Sequence, residues 1–162
     1  MQKKIKEITE KEALQKLGAL CSRSEHCTFE MQEKMKRWGL DEQTQARIIA
    51  TLIKEKYIDD ERFARAFAND KVRYNKWGKR KVEQALFLKH IDEDIRRRVL
   101  DEIEDEDFKE ALRPLLLAKM KSVKAKSDYE LNCKLIRFAM GRGYDLEEIN
   151  DCLEDIFRNT EQ

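Results

Sequence analysis

The apolar pattern of this chain occurs three times. A shift of 51 residues lays Asp92-Glu93 on Asp41-Glu42, and a further shift of 53 lays Asp145 on Asp92. The apolar residues then superpose as well: Leu40, Ile91 and Tyr144 precede the acid, and Ile48, Val99 and Cys152 follow it at a distance of seven. Ile49, Leu100 and Leu153 come next, then Leu52, Ile103 and Ile156. Spacings of three and four mark the buried stripe of an amphipathic helix, with the Asp as its N-cap or first-turn anion. Upstream, Met31, Val82 and Leu135 coincide, as do Met35, Leu86 and Ala139, in a preceding helix of each repeat. A helix pair this short cannot bury such a stripe alone, so the spacing predicts three tandem units of about fifty residues, each of three helices.

The units are placed at residues 1–58, 59–104 and 105–162. Helices are expected near 10–24, 28–38 and 41–56 in the first, 59–74, 78–89 and 92–104 in the second, and 106–122, 127–141 and 145–158 in the third. Composition agrees with an all-α fold. With 5 Gly and 1 Pro in 162 residues, there is little material for hairpin turns, and Lys, Glu, Arg, Leu and Ala favour helix. Sandwiches, barrels and Rossmann-type folds are thereby excluded, and a hydrophobic fraction of 41% supplies a core. Gly39 and Gly143 stand where a left-handed residue ends the middle helix, whereas His90 takes that place in the second unit and promises a poorer cap. Pro114 falls inside a helix, where its missing N–H and ring clash predict a kink or restart.

Lys and Arg total 34 and Asp and Glu 33, so the chain is neither polybasic nor polyacidic. The sum hides a gradient: +3 over residues 1–58, +1 over 59–104 and −3 over 105–162. Basic charge is densest in Lys71-Val72-Arg73-Tyr74-Asn75-Lys76-Trp77-Gly78-Lys79-Arg80-Lys81, six cations in eleven residues with two aromatics and no acid. Phosphate contact favours such density because each neutralised phosphate releases counterions, and aromatic faces can stack on bases or receive Arg. The segment is therefore the candidate contact with nucleic acid or with an acidic filament surface. Taken alone, Tyr74 and Trp77 also read as anchors of a loop in the core. Lys119, Lys121, Lys124 and Lys126 form a second run, which reads more simply as a solvated helix end. Lys34, Lys36 and Arg37 beside Trp38 form a weaker patch. Asp101 to Asp107 holds six acids in seven residues and reads as a solvated linker between units.

Catalytic chemistry has little to stand on. There is no GxxxxGK[ST] loop, no HExxH and no nucleophile–His–acid set, and Gly141-Arg142-Gly143 is too short for a phosphate loop. Cys21, Cys27, Cys133 and Cys152 form no CxxC pair, and neither His26 nor His90 completes a zinc spacing, so reduced buried thiols are expected, with no metal and no cofactor. No apolar run approaches the ~18 residues of a membrane span, and Met1 to Leu17 carries Lys and Glu in place of an apolar leader. On these grounds the chain is read as cytoplasmic and not membrane-bound.

Ile58-Asp59-Asp60-Glu61-Arg62-Phe63-Ala64 resembles the most characteristic motif of the RecX family, bacterial regulators of the recombinase RecA. Arg23 to Met31 is similar to the segment by which that family enters its second helix, and Gly39-Leu40-Asp41 follows at the expected distance. Gly78-Lys79-Arg80-Lys81-Val82 through Leu86, and then Lys89-His90-Ile91-Asp92, is similar to the family's glycine, basic and apolar pattern. Two positions depart from it. Cys27 stands where a Ser cap precedes Glu30, leaving half a capping box unless Thr28 caps, and His90 replaces a common glycine.

The resemblance implies three tandem three-helix repeats in an elongated, curved, all-α molecule. It also implies a non-enzymatic monomer that binds along the RecA–single-stranded-DNA filament and restrains its ATPase, strand exchange and coprotease activities. Lys71, Arg73, Tyr74, Lys76, Trp77, Lys79, Arg80 and Lys81 are then the candidate contacts, and Asp59, Asp60, Glu61, Arg62 and Phe63 mainly structural. A stand-alone helical DNA-binding module and a scaffold without nucleic acid remain the alternatives.

Overall fold

The computed structural model describes residues 7–160. These residues form nine helices: α1 (Glu10–Arg23), α2 (Thr28–Arg37), α3 (Glu42–Lys54), α4 (Asp60–Arg73), α5 (Lys79–Leu88), α6 (Glu93–Asp101), α7 (Asp105–Ser122), α8 (Asp128–Gly141) and α9 (Leu146–Thr160). No described residue is in a strand. No helix among them is long and apolar enough to cross a membrane. The first six residues of the stretch considered for a leader lie outside the described range.

The repeated Asp begins the third helix of each unit. Asp41 accepts from Thr44 N–H at 2.7 Å and Asp145 from Glu148 N–H at 2.8 Å, each satisfying a donor that the helix leaves unpaired. Asp92 occupies the same position on α6 without a side-chain bond. The middle helices also end alike. Leu40, Ile91 and Tyr144 donate their N–H to the carbonyls of Met35, Leu86 and Ala139, so that each chain reversal is closed by a bond spanning five residues. The residue before each is left-handed, with φ of +76° at Gly39, +56° at His90 and +100° at Gly143. His90 therefore makes the same cap as the glycines, although a side chain in that region costs about 1–2 kcal/mol. Its imidazole stacks on Phe29 of the first unit, with ring centroids 4.1 Å apart, and this contact offsets the strain.

Two further expectations are narrowed. The helix α7 runs unbroken through Pro114 and does not restart there. The proline and Glu110, whose carbonyl loses its helical partner, both lie on the exposed face, where the carbonyl is open to solvent. Of the acidic run at 101–107, only residues 102–104 link the second unit to the third. Asp101 ends α6, Asp105, Glu106 and Asp107 form the first turn of α7 where acids favour the dipole, and Glu102 chelates Arg65 at 2.8 and 3.0 Å.

The core is divided in two. Ala13, Leu17, Met31, Met35, Ile48, Ile49, Leu52 and Ile58 form the core of the first three helices. A second, continuous core serves all six remaining helices, from Phe63 and Ala64 on α4 to Leu153 and Ile156 on α9. It is continuous because α4 packs on α7 across the boundary of the second and third units. Of the four cysteines only Cys27 is buried, and it joins this second core; Cys21, Cys133 and Cys152 are half-buried and free.

Candidate nucleic-acid interface

The motif at 59–63 joins the first unit to the second. Asp59 caps its own helix by accepting from Arg62 N–H at 3.0 Å, whereas Asp60 reaches back to accept from Thr28 N–H at 2.8 Å, at the start of α2. The N-cap of α2 is Cys27. Glu30 closes the capping box on the Cys27 N–H at 3.1 Å, with sulfur in place of the usual hydroxyl, so Thr28 is the first helical residue and not the cap. Glu61 accepts from Arg98 at 2.9 Å, and Arg62 binds Glu25 at 2.7 Å while also donating to the carbonyls of Lys56 and Tyr57. Phe63 is buried beside Phe67. Burial pushes the Cys27 thiol up to about 12.

The basic segment begins in the last turn of α4 and ends in the first turn of α5, and it does not present all its residues alike. Trp77 is half-buried, edge-on to Phe67 at 6.3 Å, with the Lys71 and Lys81 ammoniums 5.0 and 4.6 Å from its ring centre. Tyr74 is 71% exposed and is not a core anchor. Arg80 is exposed, and Lys79 lies 3.9 Å from Asp101 in an exposed pair of small energetic weight. Arg73 and Lys76 line a cleft with Asp70, Asp107 and Glu110 at the boundary of the second and third units. Their positive charge is partly countered there, so they are less available to phosphate than Lys71, Arg80 and Lys81.

A glycine seam holds this segment in place. Gly78 N–H donates to the Arg142 carbonyl at 2.8 Å and Arg80 N–H to the Gly143 carbonyl at 3.1 Å. The carbonyl end of α8 thus meets the N-terminal end of α5. This contact compensates a first turn made of Lys79, Arg80 and Lys81, with cations where the helix dipole favours acids. A Cβ on Gly78 would lie 2.5 Å from the Gly143 carbonyl oxygen, and one on Gly143 would lie 2.5 Å from Lys81 Cβ. Tyr144, fully buried, donates its hydroxyl to the Lys76 carbonyl at 3.0 Å, beside the left-handed backbone of Lys76.

Elsewhere some cations are answered by carboxylates, as in Arg47–Glu10, Arg62–Glu25, Arg65–Glu102, Arg96–Glu83 and Arg98–Glu61, and others extend into solvent unpaired. Lys71, Arg73, Lys76, Arg80 and Lys81 form no such pair among the described residues. The negative balance of the third unit collects in a cleft of about 620 Å³ between α7 and α9, lined by Asp105, Asp145, Glu148, Asp151 and Asp155 with Arg113 among them. Burial and the neighbouring Asp145 raise the Glu148 carboxyl above the ordinary range.

Comparison with known proteins places the same elements in a family. Residues 59–100 match the family model described as RecX, second three-helix domain, and residues 105–153 match RecX, third three-helix domain. The Regulatory protein RecX of Clostridium perfringens (strain 13 / Type A) is 31% identical over 160 residues, covering 95% of this chain and 73% of the relative. The Regulatory protein RecX of Acinetobacter baylyi is 30% identical over 138 residues, covering 85% of this chain and 84% of its own length. Among solved structures, the fold is similar to RecX from Lactobacillus salivarius, with a TM-score of 0.79 at 17% identity over 90% of this chain and 95% of that one. Another regulatory protein RecX reaches a TM-score of 0.83 at 16% identity, covering 90% of this chain and 73% of its own. From its nine-helix architecture, its two matched three-helix domains and these relatives, the chain belongs to the RecX family.

Proposed function

We propose that this protein is a non-enzymatic, cytoplasmic monomer that binds the RecA–single-stranded-DNA filament and restrains its ATPase, strand-exchange and coprotease activities by occupancy. In this reading the repeats at 1–58, 59–104 and 105–162 act as successive contact modules. Membership of a family of regulatory proteins supports the regulatory part. The observation that carries the nucleic-acid part is the acid-free segment at 71–81, which gathers six cations and two aromatics, with Lys71, Arg80 and Lys81 free of ion pairs among the described residues and two ammoniums set over Trp77. Cations left without an internal counter-ion raise the local potential and release counterions when phosphate binds.

The test is the DNA-dependent ATPase of the recombinase. Added protein lowers the rate, and Lys71→Ala, Arg73→Ala, Arg80→Ala and Lys81→Ala combined weaken that effect while circular dichroism is unchanged. An ATPase untouched at saturating protein would refute the proposal. A salt-dependent DNA affinity that is the same with and without the filament would favour a stand-alone DNA-binding module.

A further inference from the structure

Among the described residues, two aromatic rings carry two cations each. Trp77 has Lys71 and Lys81, and Phe138 on α8 has the Lys119 ammonium 4.8 Å and the Arg142 guanidinium 5.2 Å from its ring centre. The other cation–ring contacts among the described residues involve one cation apiece, such as Lys16 on Trp38 at 5.8 Å, or Arg96 on Phe87 at 5.4 Å with Arg96 also bound to Glu83. Neither Lys119 nor Arg142 forms an ion pair among the described residues, although the third unit has an excess of acid. Two like charges over one ring repel, and no internal carboxylate relieves them. An anion from a partner would.

The two sets meet at the seam. The Arg142 carbonyl accepts the Gly78 N–H at 2.8 Å, and Gly143 abuts the Cβ of Lys81, so the backbone carrying Arg142 lies against the backbone carrying Lys81. Charge and rings therefore run from Lys71, Trp77 and Lys81 across the unit boundary to Arg142, Phe138 and Lys119. All six side chains are half-buried, which sets their positions without closing them to solvent.

We infer that Lys119, Phe138 and Arg142 extend the basic segment into the third unit, forming one track for a single-stranded nucleic acid. The inference rests on the function proposed above and deepens it. The ammonium and guanidinium groups take successive phosphates, and a ring face becomes available to a base once its cation has turned to a phosphate. The third unit, whose net charge alone points toward a protein partner, thus contributes to the nucleic-acid contact through one local strip.

Fluorescence anisotropy of a labelled oligothymidylate, titrated at several salt concentrations, tests this on the full chain. Lys119→Gln with Arg142→Gln is expected to weaken binding roughly 10-fold and to lower the slope of log affinity against log salt by about 0.7 for each phosphate that is no longer neutralised. Lys121→Gln with Lys124→Gln, on neighbouring exposed sites without a ring, is expected to leave the affinity within about 2-fold and the slope unchanged. Lys119→Arg keeps the slope, and Phe138→Leu weakens binding while leaving it intact. Equal melting temperatures exclude misfolding as the cause. If the Lys119/Arg142 variant binds normally while a Lys71→Gln, Lys81→Gln variant does not, the track ends in the second unit and the inference fails with the proposed function standing. If neither variant loses affinity, both fail.

Discussion

The seam between Gly78 and Gly143 gives the most direct test of how the basic segment is held. In Gly78→Ala the new methyl would stand 2.5 Å from the Gly143 carbonyl oxygen and 2.6 Å from Tyr144 N, both backbone atoms that no side-chain rotation can withdraw. Gly78 has φ of −82°, which alanine adopts freely, so the cost is spatial and not conformational. Overpacking of this kind costs about 1–3 kcal/mol. Separating the two segments also weakens the bonds from Gly78 to Arg142 and from Arg80 to Gly143, about 1 kcal/mol each. The smaller unfolded-state entropy of alanine returns about 0.4–1 kcal/mol. The net loss is about 3 kcal/mol, or about 6–12 °C of melting temperature for a chain of this length. The control is Gly39→Ala, where a Cβ meets nothing within 4 Å and only the φ of +76° opposes it, costing about 1–2 kcal/mol. Because Trp38 packs on the first core and Trp77 on the second, tryptophan fluorescence in urea follows Gly78→Ala in a Trp38→Phe background and Gly39→Ala in a Trp77→Phe background, so that each probe reports the core its glycine serves. A Gly78→Ala loss no larger than that of Gly39→Ala would refute the seam as a packed contact.

Phe63→Ala, which empties a buried position of the second core, should cost ~3–5 kcal/mol in the same assay; an unchanged midpoint would remove Phe63 from the core. Asp60→Ala leaves the Thr28 N–H without its acceptor and should cost about 1 kcal/mol, with hydrogen exchange at Thr28 accelerated and that at Arg62, capped by Asp59, unchanged. Acceleration at both amides would mean that the two aspartates do not cap separate helices. The Cys27 thiol is raised from 9.0 to about 12, so the native state favours the protonated form. That contribution is fully present below pH 9.0 and is lost as pH climbs toward 12. Urea midpoints should therefore fall across this alkaline window in the wild type and less steeply in Cys27→Ala; parallel curves would contradict the burial.

The helices, most of their caps and the three-fold repeat were legible in the order of residues. They depend on interactions spanning at most a turn or two: apolar spacing of three and four, Asp41 and Asp145 bonding three residues ahead, and chain reversals closed over five residues. Even His90, whose side chain argued for a poor cap, forms the same reversal, but the Phe29 ring that compensates it comes from another unit. The basic segment was legible as charge, and its division was not. Whether a cation is free or paired depends on partners brought in from a distance. Glu10 and Arg47, Glu25 and Arg62, Glu61 and Arg98, and Arg65 and Glu102 each stand 37 residues apart. Lys119, an unremarkable lysine near a helix end, gains its place from Phe138, and Arg142 gains its own from a seam to Gly78. That the second and third units share a core while the first keeps its own follows from tertiary packing. The helical stripes are alike in all three units, and α4 packing on α7 is a contact between surfaces that no local pattern encodes.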